Sequence, residues 1–226
     1  MNLIFDADDT LWENNVLFER AIENFIDHLA HPTMTRLQVR DVLDEIERSN
    51  ARVHGYGVSV FHRSLEACLR RLRSGLPPDR EDEEVLLRLC LPMREGAVEV
   101  LPGVAETLQE LGRRHRLSLL TKGDPEDQRR KLTASGLTGL FEDVAIVGEK
   151  DTTVYRSIVE TRGLDPETTW MIGNSPVSDI WPALEAGIGA VLVPHPHTWV
   201  LEHRELPEPD ERFLVVESIP GLLERF

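Results

Sequence analysis

Two aspartates lie one residue apart where the first apolar run of the chain ends. Asp6 and Asp8 directly follow residues 3–5, Leu-Ile-Phe, which are typical of a short buried strand. Because residues i and i+2 of a strand point to the same face, both carboxylates can enter one small space at its carboxyl end. Two carboxylates at such a short distance repel each other, so the pKa of one of them rises unless a cation binds between them. The pattern indicates an ionised nucleophile, a protonated acid and a divalent cation, although two turn-capping aspartates would give the same short pattern.

The elements that would position these carboxylates alternate after about residue 97. Short apolar runs alternate with amphipathic segments, and helix signals include Asp124-Pro125 at a start and Gly136 at an end. This alternation is typical of an α/β fold with a parallel sheet covered by helices on both faces, and the run 3–5 joins that sheet. The later strands are predicted at residues 117–120, 144–147, 169–172, 189–193 and 213–216.

A stretch without any strand signal separates the first run from the alternating region. Residues 15–95 carry apolar side chains at helical spacing, and they are predicted to form a helical domain inserted between core segments 1–14 and 96–226. Within it, Tyr56 lies in a glycine-flanked stretch that suits either a simple turn or a mobile loop that closes on substrate. Trp12 is interpreted as a core or hinge aromatic, and it is kept with Tyr56 as a candidate specificity residue.

Polar residues directly follow several of the predicted strands. Parallel strands bring their carboxyl ends to one edge of the sheet, and open α/β sheets hold their ligands there. Polar residues scattered over a surface would rarely follow four different strand ends. The residues that this edge is predicted to collect are Asp6, Asp8, Thr121, Lys122, Lys150, Asn174 and Asp179.

Carboxylates, a hydroxyl and a lysine at one edge suit phosphoryl transfer. The transferred group is anionic, so catalysis consists mostly of positioning and charge neutralisation. Asp6 is predicted to be the nucleophile that forms an aspartyl-phosphate intermediate. Asp8 is predicted to protonate the leaving oxygen and then to take a proton from the attacking water, which is typically worth about 10²–10⁴ in rate.

The remaining residues of this edge would hold the phosphate and a cation. Thr121 and the backbone amides of Lys122 and Gly123 are predicted to bind phosphate oxygens. Lys150 is predicted to neutralise Asp6 and the phosphate. Mg²⁺ prefers hard oxygen ligands and keeps several waters. Its predicted ligands, besides one backbone carbonyl, are Asp6, Asp8, Asn174 and Asp179.

The order of these residues resembles the motifs of the haloacid dehalogenase superfamily. The first motif is matched by residues 6–11, Asp-Ala-Asp-Asp-Thr-Leu, the second by Thr121, the third by Lys150, and the fourth by Gly173-Asn174 with Asp179. The motifs cover roughly two thirds of the chain, and the remaining helical part resembles the cap that the superfamily inserts after its first motif. The resemblance implies a Rossmann-like core and magnesium-dependent phosphatase chemistry.

Two positions depart from the superfamily's usual motifs. The fourth motif often begins Gly-Asp, and Asn174 removes one negative charge, so weaker metal binding is expected while Asp179 keeps the direct ligand role. The third motif is often lysine followed by proline, whereas Asp151 follows Lys150 here and suits a helix cap. Lys131 is the rival for the lysine role, and Lys150 is preferred because it follows a strand end.

The net charge of the chain argues against some classes of binding partner. The 226 residues carry 40 acidic and 25 basic side chains, for a net charge of −15, and a field of that sign repels nucleic acid and anionic membranes. A phosphate site therefore needs its own cations. Cys68 and Cys90 lie among apolar helical residues and are predicted to be buried thiols rather than a disulfide, which fits a reducing, cytoplasmic compartment. Neither a signal peptide nor a membrane span is expected.

Several activities are compatible with this set of residues. The pattern favours hydrolysis of a small phosphate monoester by a monomer or homodimer that uses Mg²⁺. A phosphomutase would use the same residues, and phosphate retained on a product sugar would identify it. A non-catalytic phosphate-binding protein is supported only by Asn174. A dehalogenase is disfavoured, because Asp8 supplies an acid that this reaction does not need.

A histidine pair after the fifth predicted strand resembles a metal motif. His195 and His197 flank Pro196. No Cys lies near them in the sequence, so a zinc site is disfavoured. The pair is predicted to form a wall of the site instead.

Overall fold

The computed structural model describes residues 1–96 and 98–226, which divide into two compact units. The sheet unit comprises Met1–Asn15 and Val98–Phe226, and the helical unit comprises Val16–Ala97. Each unit has its own buried core. Within the described residues, no helix has both the length and the apolar character needed to cross a bilayer.

One parallel sheet organises the sheet unit. Among the described residues its strand order is β3-β2-β1-β4-β5-β6, and every neighbouring pair is parallel. This is the order of a doubly wound Rossmann-like fold, which confirms the predicted fold class. The order reverses between β1 and β4, where such folds open a crevice at the strands' carboxyl ends. The strands are β1 Asn2–Phe5, β2 Arg116–Lys122, β3 Asp143–Val147, β4 Thr169–Gly173, β5 Gly189–Leu192 and β6 Phe213–Val215.

The first strand lies at the centre of the sheet and is buried on both faces. Leu3 and Phe5 belong to one apolar cluster and Ile4 to another. This division follows from the two-residue period of a strand, which sends successive side chains to opposite faces. A continuous apolar run is therefore what a strand covered on both faces requires.

Helices cover the two faces and begin where local sequence caps them. Asp124 accepts the amides of Glu126 and Asp127 at 3.0 Å each, with Pro125 at the first helical position. Asp151 accepts the amide of Val154 at 2.8 Å, so its predicted capping role is confirmed. The helices of this unit are α5 Val104–Gly112, α6 Pro125–Ala134, α7 Thr152–Thr161 and α8 Trp181–Glu185.

The sequence predicts that Ser178 caps a helix ending at Gly187, and the segment after β4 differs from this prediction. A π-helical turn, Pro176–Ile180, precedes α8, and its cap is Ser175, whose hydroxyl accepts the Ser178 amide at 2.8 Å. Pro176 favours this start, because proline suits the first helical position. Ser178 consequently lies inside the turn, and its side chain is available for other contacts.

The helical unit is built from amphipathic helices around a separate core. Its helices are α1 Asn15–Leu29, α2 Arg36–His54, α3 Val58–Leu72 and α4 Arg80–Glu95, of which α1 begins in the sheet unit. Cys68 and Cys90 are buried in this core as free thiols, as predicted. Tyr56 lies in the short connection between α2 and α3 and is half-buried.

Candidate active site

Three charged side chains from distant segments meet at the carboxyl edge of the sheet. The Lys150 ammonium donates to a carboxylate oxygen of Asp6 and, at 2.8 Å, to Oδ1 of Asp179. All three side chains are buried. Burial alone would lower the pKa of Lys150, but the charges of Asp179 and Asp6 raise it above its ordinary value. Lys150 is therefore charged and neutralises part of the two carboxylates.

A close backbone approach places Asp179. Its Oδ2 accepts the Ser175 amide at 2.9 Å and lies 2.1 Å from the point where Gly173 would carry a Cβ. Only glycine fits there. Burial raises the pKa of Asp179 to about 7, an effect that the Lys150 charge opposes and the Asp6 charge increases. A buried carboxylate in this state gains stability from a cation.

Asp6 is fixed by its neighbours in the first loop and across the sheet. Its amide donates to the Ile172 carbonyl at 2.9 Å, which extends the pairing of β1 with β4. The Thr10 hydroxyl donates to Asp6 Oδ2 at 3.0 Å and lies 3.2 Å from Asn174 Oδ1. Thr10 is a site residue that the sequence analysis did not single out, although it belongs to the first motif.

Asp8 faces a different set of partners from Asp6. Trp12 Nε1 donates to its Oδ1 at 2.7 Å, Gln128 Nε2 donates to its Oδ2 at 2.8 Å, and Lys131 Nζ lies 2.6 Å from both oxygens. Burial alone would raise the pKa of Asp8. The charge of Lys131 and the hydrogen bonds from Lys131, Gln128 and Trp12 lower it instead. The carboxylate is held ionised by donors and does not share Lys150 with Asp6.

The two candidate lysines contact different aspartates. Lys150 reaches Asp6, as predicted from its strand-end position, and the rival Lys131 reaches Asp8 from helix α6. Gln128 and Lys131 were missed as Asp8 partners. Their spacing of three residues on one helix face was the available signal.

The second predicted motif lies level with the end of β1. Phe5 pairs with Leu119 in β2 and with Ile172 in β4, so continuing these registers aligns Thr121 and Asn174 with Ala7. Thr121 is buried in β2. Sheet pairing thus brings the ends of three strands into one row.

The amide of Gly123 is engaged within the sheet. It donates to the Val147 carbonyl at 3.0 Å, so the expectation that this amide binds phosphate is not met in this conformation. Gly123 has φ +141, a conformation that favours glycine, and a Cβ there would lie 3.0 Å from Gln128 Nε2. The glycine leaves room for Gln128 to reach Asp8.

Lys122 joins a buried carboxylate that the sequence did not reveal. Its ammonium contacts Glu202 and donates to Ser178 Oγ at 2.8 Å, and Ser178 in turn donates to Glu202 at 2.6 Å. Burial alone would raise the pKa of Glu202, but the Lys122 charge and hydrogen bonds from Lys122, Ser175 and Ser178 lower it. Nothing in the sequence around Glu202 signalled this role.

His195 lies beside two carboxylates as well as beside His197, whose ring centre is 5.9 Å from its own. Its Nδ1 is 3.8 Å from Asp9, and its Nε2 is 3.5 Å from Glu13. Ligand atoms of these three residues lie within 4.8 Å of one another. Burial raises the pKa of Asp9 to about 7, although amide hydrogen bonds from Asn15 and Asn14 oppose the shift. Neither carboxylate neighbour of His195 was predictable from the local sequence.

The two candidate specificity residues occupy different environments. Trp12 is completely buried, and its indole N–H is bound to Asp8, so it orients that carboxylate instead of presenting a surface to substrate. Tyr56 belongs to the helical unit, in the connection between α2 and α3.

The donor set around Asp6 and Asp179 fits a divalent cation. Two carboxylates share one ammonium, and Asn174 supplies an amide oxygen in the same region. Oxygen ligands of this kind suit Mg²⁺. The Asp8 carboxylate, predicted as a further ligand, instead accepts hydrogen bonds from Trp12, Gln128 and Lys131.

The chain is similar to two curated phosphatases and to one hydrolase of known structure. Phosphoserine phosphatase of Thermus thermophilus is 30% identical over 171 residues, which is 73% of this chain and 65%, just under two thirds, of that enzyme. N-acylneuraminate-9-phosphatase of Mus musculus is 30% identical over 98% of this chain and 93% of that enzyme. A crystal structure of a haloacid dehalogenase-like family hydrolase from Xanthomonas campestris has a TM-score of 0.84 at 25% identity, covering 100% of this chain and 93% of that one.

The family model for haloacid dehalogenase-like hydrolases matches residues 1–187. That range contains every residue of the four motifs described above. The chain therefore belongs to the haloacid dehalogenase-like hydrolase family, and the curated relatives that it resembles are phosphatases.

Proposed function

We propose that this chain hydrolyses small phosphate monoesters with Mg²⁺ through an aspartyl-phosphate intermediate. The observation that carries the proposal is the sharing of one buried ammonium, Lys150, by Asp6 and Asp179. This arrangement keeps Asp6 available as an anion and provides positive charge where an anionic phosphate would arrive.

Asp6 is the nucleophile in this proposal. Lys150 and the Thr10 hydroxyl both bind its carboxylate and thereby orient it. Attack of a carboxylate oxygen on phosphorus forms the acyl phosphate as the bond to the leaving oxygen breaks. Thr121 and Lys122, at the end of β2, are the proposed ligands of the other phosphate oxygens.

Asp8 is the proposed acid and base. It gives a proton to the leaving oxygen as the phosphorus–oxygen bond breaks. It then takes a proton from the water that hydrolyses the acyl phosphate, which regenerates Asp6, releases inorganic phosphate and leaves Asp8 protonated for the next turnover.

Asp6, Asp179 and Asn174 are the side chains that would hold Mg²⁺, together with one backbone carbonyl. When bound, this cation would neutralise phosphate charge and help to orient the ester. Lys150 contributes fixed positive charge to the same carboxylates.

The proposal is tested with p-nitrophenyl phosphate and Asp6→Asn. We expect phosphate release that depends on Mg²⁺ in the wild type and falls by at least about 10³ in the variant, because the amide cannot form the acyl phosphate. Circular dichroism should show that the variant remains folded. Turnover retained by Asp6→Asn would remove Asp6 as the nucleophile, and absence of turnover in the wild type with several divalent metals would favour the binding-protein hypothesis.

The substrate itself is proposed only by class. The relatives are named for phosphoserine and for N-acylneuraminate 9-phosphate, so both belong in a substrate panel scored by phosphate release. Release to water also separates a phosphatase from a phosphomutase. We propose that Tyr56, between α2 and α3, contributes to substrate choice, since an aromatic flanked by Gly55 and Gly57 suits a loop that adapts to a ligand.

A further inference from the structure

The carboxylate of Asp8 has its acceptor positions filled. Two donors bind Oδ1, namely Trp12 at 2.7 Å and Lys131 at 2.6 Å. Two donors bind Oδ2, namely Gln128 at 2.8 Å and Lys131 at 2.6 Å. A carboxylate offers about four lone-pair positions, so this group is saturated. Asp8 therefore has one defined orientation, set entirely by these three side chains.

The three donors differ in how rigidly each of them holds the Asp8 carboxylate. Trp12 is completely buried, which fixes its indole in place. Lys131 alone contacts both oxygens, and its ammonium also lies 3.1 Å from Asn14 Oδ1. Because an ammonium has three donors on a flexible stem, Lys131 can release one oxygen of Asp8 and keep the other.

We infer that Lys131 is a positioning residue for Asp8, and that it acts with Gln128 and Trp12 to aim this carboxylate at the leaving oxygen. The inference rests on the proposed acid–base role of Asp8. Lys131 makes the larger share of the contacts that orient Asp8, because it reaches both carboxylate oxygens whereas Trp12 and Gln128 each reach one.

The inference predicts an effect that depends on the leaving group. An alkoxide leaves poorly and needs a proton from Asp8, whereas p-nitrophenolate leaves without much help. Lys131→Met should therefore lower kcat/KM for β-glycerol phosphate about tenfold more than for p-nitrophenyl phosphate. Lys131→Arg, which keeps the charge and the donors, should recover part of this difference. Asp8→Asn should show the same preference between the two esters and thereby establish that the comparison reports on Asp8.

Arg130→Met is the matched control, because Arg130 lies on the same helix and forms an ion pair with Asp127 at 2.9 Å. It should leave the ratio of the two kcat/KM values within about twofold of the wild type. Equal losses on both esters in Lys131→Met, or no loss on either, would overturn the inference.

A second variant keeps the test decisive if Lys131→Met fails to fold. Gln128→Met removes one neutral donor, and it should reduce turnover of β-glycerol phosphate about threefold more than turnover of p-nitrophenyl phosphate. Losses of equal size would contradict the positioning role. The two levels of the proposal fail differently: a wild type without phosphatase activity refutes the proposed function, whereas an active wild type with unaffected Lys131 and Gln128 variants refutes only the role of Lys131.

Discussion

At the scale of single residues, the site depends on close approaches that admit one residue type. Asp179 is wholly buried, and its carboxylate occupies the space where any side chain at position 173 would begin. Its position is therefore set by the absence of a Cβ at Gly173 as much as by its own hydrogen bonds to Ser175 and Lys150. A glycine in a motif can therefore be required because a neighbouring side chain occupies its Cβ position, and not only because of its backbone conformation.

Gly173→Ala should weaken metal binding although it does not replace a charged residue. The new Cβ would lie 2.1 Å from Asp179 Oδ2, so the carboxylate must move. We expect the Mg²⁺ concentration for half-maximal turnover to rise by about tenfold, which corresponds to about 1.4 kcal/mol. Asp179→Ala should raise it by at least as much.

The control for this substitution is Gly139→Ala. No atom lies within 4 Å of a Cβ built at Gly139, so the metal titration should not change. An unchanged titration in Gly173→Ala would show that Asp179 does not help to hold the cation.

At the scale of elements, the helical unit contains a buried charge cluster that joins three helices. Asp82 in α4 is almost fully buried and accepts from His28 in α1 at 2.8 Å and from Arg73 at the end of α3. It also completes the capping box of α4 with Asp79, whose carboxylate accepts the Asp82 amide at 2.9 Å. One carboxylate thus links a helix start to two neighbouring helices.

Asp82→Asn should destabilise the protein in a pH-dependent way. Burial alone would raise the pKa of Asp82, but hydrogen bonds from His28, Asp79 and Arg73 and the charge of Arg73 lower it below its ordinary value. A lowered folded-state pKa stabilises the protein above the unfolded value, and this contribution is lost as the pH falls through the folded value. Urea unfolding should show a loss of about 2 kcal/mol at neutral pH that diminishes below about pH 4.

An exposed ion pair on the same helix provides the comparison. Arg80 and Glu84 are 3.1 Å apart but 92% and 64% exposed, so Glu84→Gln should change the unfolding free energy by less than about 0.5 kcal/mol. Equal effects of Asp82→Asn and Glu84→Gln would show that the buried cluster does not stabilise the unit.

At the scale of the whole molecule, the net charge of −15 opposes the binding of an anionic ester. Local cations offset this field at the site, where Lys122, Lys131 and Lys150 each contact a carboxylate. Since each lysine is already paired, the long-range field remains negative. Salt screens such a field over a Debye length of about 8 Å at physiological ionic strength.

Added salt should therefore speed the capture of substrate. We expect kcat/KM for p-nitrophenyl phosphate to rise by about twofold between about 10 mM and about 150 mM KCl at saturating Mg²⁺. NaCl should have the same effect if screening is the cause. A decrease in kcat/KM with salt would mean that the local lysines dominate the approach of the ester.

Much of the fold was predictable because strands and helices in this chain are locally encoded. The apolar run at 3–5, the cap Asp124-Pro125 and the cap Asp151 each determine a structure over a few residues. The exception was the segment after β4, where Ser175 caps a π-helical turn instead of Ser178 capping a helix. Two serines three residues apart are both possible caps, and Pro176 at the first helical position favours Ser175.

The sequence by itself determined which residues stand at the strand ends, because apolar periodicity and turn residues are properties of neighbouring positions. Tertiary structure alone decided which side chains pair. It assigned Lys150 to Asp6 and Lys131 to Asp8, brought Glu202 to Lys122, and placed His195 beside Asp9 and Glu13. These pairings join segments far apart in the chain, so they depend on strand order and register, which no local pattern encodes.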